Sequence, residues 1–125
     1  GYPSTRNLEA LKAQGITRIV NLTSHYCKNL HETTIKYSNF ELADNAKFNL
    51  LDKLDLILKE LARCLNNGER VLVHCKMGVS RAPSIVIAFL IIHRGFAYKE
   101  AFKYVQKRNG KIAPNLGYLM QLQTL

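Results

Sequence analysis

Apolar residues recur along this chain with two periods. From Asn49 to Leu65 they stand at Leu50, Leu51, Leu54, Ile57, Leu58, Leu61 and Leu65, the spacing of one broad apolar helix face, and Asn67-Gly68 ends the element. Leu8 and Leu11 repeat the spacing in a shorter helix, Asn7 to Gln14, with Gly15 as its stop. "ITRIVNL", Ile16 to Leu22, reads as a buried strand. In "IKYSNFEL", Ile35, Tyr37 and Asn39 alternate with Lys36, Ser38 and Phe40, a less regular strand pattern. The polar, mixed segment Thr23 to Thr34 between them reads as loop. A third strand, "VLVHC", leads to a helix from Pro83 to about His93 that Arg94-Gly95 closes. Pro83 suits a first helical turn, where its missing N–H costs nothing. Tyr98 to Lys107 forms a further helix behind a poor cap, Ala97. Asn115 caps a last helix through Leu122. Strands alternating with helices predict a single α/β domain around a mainly parallel sheet.

Composition narrows the setting. The 125 residues suffice for one domain with one core, and 47% hydrophobic with 22% charged residues is ordinary for a globular chain. No apolar run approaches the ~20 residues of a membrane span. The opening "GYPSTRNLEALK" has no hydrophobic signal segment. Cys27, Cys64 and Cys75 are too few and too scattered for a disulfide framework, and neither they nor the four histidines are spaced as zinc ligands. The expected location is therefore intracellular, in cytoplasm or nucleus. The net charge of +9 favours anionic partners, but the basic residues are spread along the chain, so charge alone does not choose among phosphorylated substrates, nucleic acid and acidic membrane.

The chemistry concentrates in "VHCKMGVSRAPS", Val73 to Ser84. A loop between a strand and a helix points the backbone N–H groups of Lys76, Met77, Gly78, Val79, Ser80 and Arg81 at one spot, at the positive end of the helix. Such a nest binds a tetrahedral dianion. Gly78 lets the backbone approach the ligand closely, and Arg81 adds a planar fork for two phosphate oxygens. Cys75 sits at the bottom of the cradle, where the same amides and Arg81 stabilise a thiolate placed for in-line attack on a bound phosphoryl group. The leaving oxygen then needs a proton, and Asp44, in the turn "LADN" after a predicted strand, offers a carboxyl group for it.

Each residue has a plainer reading when taken alone. A single cysteine after a strand is usually a small buried hydrophobe, which is the reading for Cys64 and Cys27. A single aspartate in a turn is usually a turn residue. His74 is given only a supporting role beside the thiol. The combination Cys75, Gly78 and Arg81 between strand and helix is what favours catalysis.

His74-Cys75-Lys76-Met77-Gly78-Val79-Ser80-Arg81 resembles the signature of the cysteine-dependent protein phosphatases, and specifically of the small dual-specificity group. Asp44 lies 75 − 44 = 31 positions before the cysteine, where that group keeps its general acid. "NLEALKAQGITRIVNLT" resembles its early helix and strand, and "PNLGYLMQL", Pro114 to Leu122, its closing segment, whose asparagine (here Asn115) helps hold the phosphate loop. The resemblance covers nearly the whole chain, the family's opening strand being expected ahead of Gly1. It implies a central, mostly parallel sheet of four to five strands flanked by helices. It also implies metal-free, cofactor-free hydrolysis of phosphotyrosine, phosphoserine and phosphothreonine through a phosphocysteine, in a pocket kept shallow by the short Thr23 to Thr34 segment. Phosphorylated proteins are the implied partners, with no nucleic acid; the sequence gives no oligomeric state.

Two residues depart from the family pattern. Ala82 stands where a serine or threonine hydroxyl usually bonds the cysteine sulfur, which puts turnover rate in question. Ala97 stands where a hydroxyl residue often caps the next helix. Rival readings are a phosphoinositide phosphatase, for which Val79-Ser80 lacks the second basic residue, and an RNA 5′-phosphatase, for which no aromatic-and-basic stripe is present. A third is a weakly active phospho-binding module, against which Cys75, Arg81 and Asp44 all argue.

Overall fold

Three parallel strands form the centre of the computed structural model, which describes residues 5–25, 27–76 and 80–125. Strand β1 (Arg18–Asn21) lies between β2 (Lys36–Asn39) and β3 (Val71–His74), with Ile19 in register with both Tyr37 and Leu72. Because β1 is central and covered on both faces, it is buried continuously from Ile19 to Asn21 rather than at alternate residues. Ile19 faces a small core with Leu72, Ile35 and Leu11 of helix α1 (Leu8–Ala13). Val20 and Leu22 face the main core, which collects residues of α2 (Leu51–Asn66), α3 (Arg81–Arg94), α4 (Tyr98–Asn109) and α5 (Leu116–Leu122). Helix α1 therefore lies on one face of the sheet, and on the other α2 and α3 pack on β3, with α4 and α5 against α3.

The sheet has three strands among the described residues, where the family resemblance implies four to five. Among the described residues three runs pair fully, residues 27–34 and 43–49 lie in turns, bends and loop, and beyond β2 the pairing is extended by an isolated antiparallel bridge, Thr23 with Glu41. Arg18 ties the strand ends together. Its Nε meets both Glu69 carboxylate oxygens at 3.0 Å, and Nη1 donates to Ser38 Oγ at 2.9 Å.

The helices follow the pattern closely, with three differences. On α2 the buried stripe is Leu54, Ile57, Leu58, Leu61 and Cys64, whereas Leu51 and Leu65 are exposed. Position 64, not 65, continues the helical spacing, so a small thiol takes the core site. Helix α3 begins at Arg81, two residues before Pro83, which still lies in the first turn, where its lack of an N–H is harmless. It is buried along most of its length and packs against α2, α4, α5 and β3, which explains its apolar composition. At α4, Ala97 supplies no capping side chain, but the Glu100 carboxylate accepts its backbone N–H at 3.0 Å, so half of a capping arrangement is kept. No helix among the described residues is long and apolar enough to cross a membrane.

Strand β3 ends on His74, whose half-buried imidazole is held below the usual histidine range by that burial. As pH falls through the unfolded value of about 6.5, the unfolded chain takes up a proton that the folded chain refuses, so stability declines toward the lowered folded value. His74→Asn removes this uptake. The urea midpoint of the variant should therefore fall less between pH 7.5 and 5.5 than that of wild type. Because the ring is partly solvated, the difference should stay well under the one-proton limit of about 1.4 kcal/mol per pH unit. Parallel declines in the two proteins would contradict this role.

Candidate active site

Two of the candidate residues, Cys75 and Arg81, meet at the first turn of α3. Cys75 follows β3 directly and is only 4% exposed, and its Sγ accepts a hydrogen bond from the Ala82 backbone N–H at 3.3 Å. Ala82 is the second residue of α3, so the sulfur lies at the helix end that favours negative charge. Ala82 is buried and brings no side-chain donor. The nearby Ser84 hydroxyl does not replace one, because it donates to the Ser80 carbonyl at 2.6 Å. Lys76 is exposed, and Met77, Gly78 and Val79 lie outside the described residues.

Arg81 opens α3 and is 8% exposed. Its Nη1 donates to the Leu42 carbonyl at 3.0 Å, while its Nε is buried and meets no acceptor among the described residues. Buried donors are nearly always satisfied, so this orphan is a feature to explain. Arg81, Lys76 and Asp44 line one recess of about 540 Å³, together with His25, Glu41, Leu42, Ala43 and Phe48. Glu41 is held at its rim by the Ser24 hydroxyl, 2.8 Å away, and by the His25 backbone N–H.

Asn115 joins the two halves of the site. Its backbone N–H donates to Ser80 Oγ at 3.1 Å, so the Ser80 side chain turns toward α5. Its side-chain amide donates to Asp44 Oδ1 at 3.0 Å, and its Oδ1 accepts the Tyr118 backbone N–H at 2.9 Å, capping α5. The arrangement thus brings together Cys75, Arg81 and Ser80 on the α3 side, Asp44 across the recess, and Asn115 between them. His74 stands apart as the strand end, its carbonyl accepting from Leu22 N at 2.8 Å.

Sequence reasoning missed the Leu42 carbonyl, the recess walls His25 and Phe48, and Tyr118. The last is fully buried with its hydroxyl donating to the Ala43 carbonyl. Burial first, then the charges of Asp44 and Cys75, push the phenol well above the usual tyrosine range against the pull of Arg81, so it stays a donor. A tyrosine three residues after a capping asparagine, among apolar neighbours, was the available signal.

Residues 1–125 match the family model for the dual specificity phosphatase catalytic domain. Protein phosphatase Slingshot of Drosophila melanogaster is 39% identical over 118 residues, covering 94% of this chain and 11% of that protein. Dual specificity protein phosphatase 2 of Mus musculus is 35% identical over 121 residues, covering 94% of this chain and 38% of that protein. The chain thus spans less than half the length of these two relatives. The crystal structure of the human tyrosine phosphatase-like serine/threonine/tyrosine-interacting protein matches with a TM-score of 0.87 at 32% identity, covering 98% of this chain and 85% of that one. With the family model matched end to end on an α/β fold of the same shape, the chain belongs to the dual specificity phosphatase catalytic domain family.

Proposed function

We propose that this chain is a single catalytic domain that hydrolyses phosphotyrosine, phosphoserine and phosphothreonine in proteins through a phosphocysteine intermediate. The observation that carries the reading is the buried Arg81 guanidinium. One nitrogen is satisfied by Leu42, and Nε meets no acceptor among the described residues, in a residue that lines the same recess as Asp44 and Lys76. A phosphoryl dianion offers the charge and the oxygen acceptors that such a group lacks. The names of similar proteins, Slingshot and dual specificity protein phosphatase 2, support phosphoprotein substrates.

In the proposed reaction the Cys75 thiolate attacks phosphorus. The S–P bond forms as the ester P–O bond breaks, and protonated Asp44 gives its proton to the departing oxygen. The Asp44 carboxylate then takes a proton from water, whose oxygen bonds phosphorus as the S–P bond breaks. Inorganic phosphate and the thiolate are released. Arg81 and the backbone N–H groups from Lys76 to Arg81 hold the equatorial oxygens, a role for Met77, Gly78, Val79 and Ser80 that rests on the sequence. His74 and Asn115 are supporting residues. The reaction needs no metal or cofactor, and the setting we assign is intracellular.

A second reading, a phospho-binding module of low activity, draws on the similarity to a protein titled phosphatase-like and interacting. One panel separates the readings: phosphotyrosine, phosphothreonine and phosphoserine peptides, phosphoinositides and RNA 5′-triphosphate, each with wild type and with Cys75→Ser. We expect hydrolysis of the peptides by wild type, abolished in Cys75→Ser with peptide binding retained. Binding without hydrolysis would favour the second reading, and hydrolysis confined to lipid or RNA would overturn the substrate class.

In a single turnover, Asp44→Asn should slow ester P–O cleavage of alkyl phosphates by a large part of the ~10²–10⁴-fold that general acid catalysis contributes. An activated aryl phosphate, whose leaving group needs little help, should lose far less. Equal losses would remove Asp44 from the acid role.

Ala82 sets the expected slow step. On breakdown of the phosphocysteine, charge returns to a sulfur that has the Ala82 N–H but no hydroxyl from that residue. A hydrogen bond to a charged group is worth roughly 1.5–3 kcal/mol, or about ten- to a hundredfold in rate at ~1.4 kcal/mol per decade. Rapid mixing with an aryl phosphate should show a burst of released alcohol followed by a slow steady rate. Ala82→Ser should raise the steady rate and shrink the burst. A wild type without a burst, unchanged by Ala82→Ser, would contradict this.

A further inference from the structure

Helix α5 lies along the segment that carries Asp44 and touches it at successive points. Near its start, Asn115 donates to Asp44 Oδ1. One turn on, the buried Tyr118 hydroxyl donates to the Ala43 carbonyl, and its ring leans on Phe48 with centroids 6.5 Å apart. Toward the end, Gln121 Nε2 donates to the Phe48 carbonyl at 2.9 Å while its Oε1 accepts Leu51 N–H at 3.2 Å. Between these, Gly117 packs so closely that a Cβ there would stand 2.0 Å from the Ala46 carbonyl oxygen. From the opposite side, Arg81 holds the Leu42 carbonyl.

We propose that α5 is the positioning element for the general acid, with the Tyr118 hydroxyl as its central contact. The inference rests on the reading of Asp44 as that acid. The Ala43 carbonyl shares a rigid peptide plane with the Asp44 amide, so a bond to it fixes the base from which the Asp44 side chain projects. Asn115 fixes the other end. Its Oδ1 is committed to the Tyr118 N–H, so the group facing Asp44 is the donor –NH₂. A donor on Oδ1 leaves the acid's proton on Oδ2, the oxygen available to a leaving group. Tyr118 touches neither substrate nor reacting atoms; it acts through Asp44. Misplacement of a catalytic group by about an ångström can cost on the order of a hundredfold.

The test is Tyr118→Phe, which keeps the ring and removes the hydroxyl, assayed after its thermal midpoint shows a folded protein. We expect the single-turnover rate of P–O cleavage for a phosphoserine peptide to fall about tenfold, a part of the ~10²–10⁴-fold acid contribution. Affinity for the peptide should change little, and the burst rate with a nitro-substituted aryl phosphate should fall less than about twofold on the same reasoning. In the Asp44→Asn background the same change should cost nothing further, because the group it positions is gone. Gln121→Ala, at the outer end of the contact, should give a smaller loss with the same leaving-group bias and decides the matter if Tyr118→Phe does not fold. Equal losses for both leaving groups, no loss, or a full additional loss in the Asp44→Asn background would overturn the proposal. Asp44→Asn alone separates the two claims: if it is selective and Tyr118→Phe is not, only the positioning role falls.

Discussion

A guanidinium taken out of water is costly unless its donors are met, and Arg81 is the group on which the rest of the site depends. It begins α3 and is nearly buried; its Nη1 donates to the Leu42 carbonyl, and its Nε meets no acceptor among the described residues. The fold supplies what holds it there. Strand β3 delivers the chain to the start of α3, and α3 is the helix most enclosed by its neighbours, packing on α2, α4, α5 and β3. In the proposed reaction, a phosphate-binding group on so constrained an element would keep its geometry between turnovers.

The sulfur and the guanidinium share one loop and helix start, the carboxylate comes from 31 positions before the cysteine, and α5 bridges the two segments. Through Asn115 it meets Ser80, just before α3, and Asp44, across the recess. Through Tyr118 it holds the backbone at Ala43. This connection gives the closing segment a part in the proposed chemistry as well as in the core, where Tyr118 and Leu122 are both fully buried. It also sets Ala82 in context: the sulfur receives a main-chain donor from α3, and the hydroxyl nearest in sequence, Ser84, is bonded to Ser80.

Much of this was legible in the sequence because periodicity reports burial. The helices, the three strands and the stop glycines all follow from it, Gly15, Gly68 and Gly95 each adopting positive φ. The proposed reactive set has a different warrant: cysteine, glycine and arginine at that spacing after a strand have few other uses. What escaped depends on contacts that spacing does not encode. Tyr118 bonds a main-chain carbonyl 75 positions away, and carbonyls carry no sequence signature. Leu65 and Cys64 exchange places because one residue of helical phase decides which side chain faces inward. The fourth and fifth strands were an expectation taken from family resemblance, and three pair here among the described residues.

The most direct test of the central claim is to quench the protein in acid during steady turnover of a phosphotyrosine peptide and map phosphoryl adducts by mass spectrometry. The account predicts a phosphoryl group on the peptide containing Cys75, more abundant in wild type than in Ala82→Ser, and absent from Cys75→Ser. An adduct on another residue, or undiminished turnover in Cys75→Ser with no adduct at all, would contradict it.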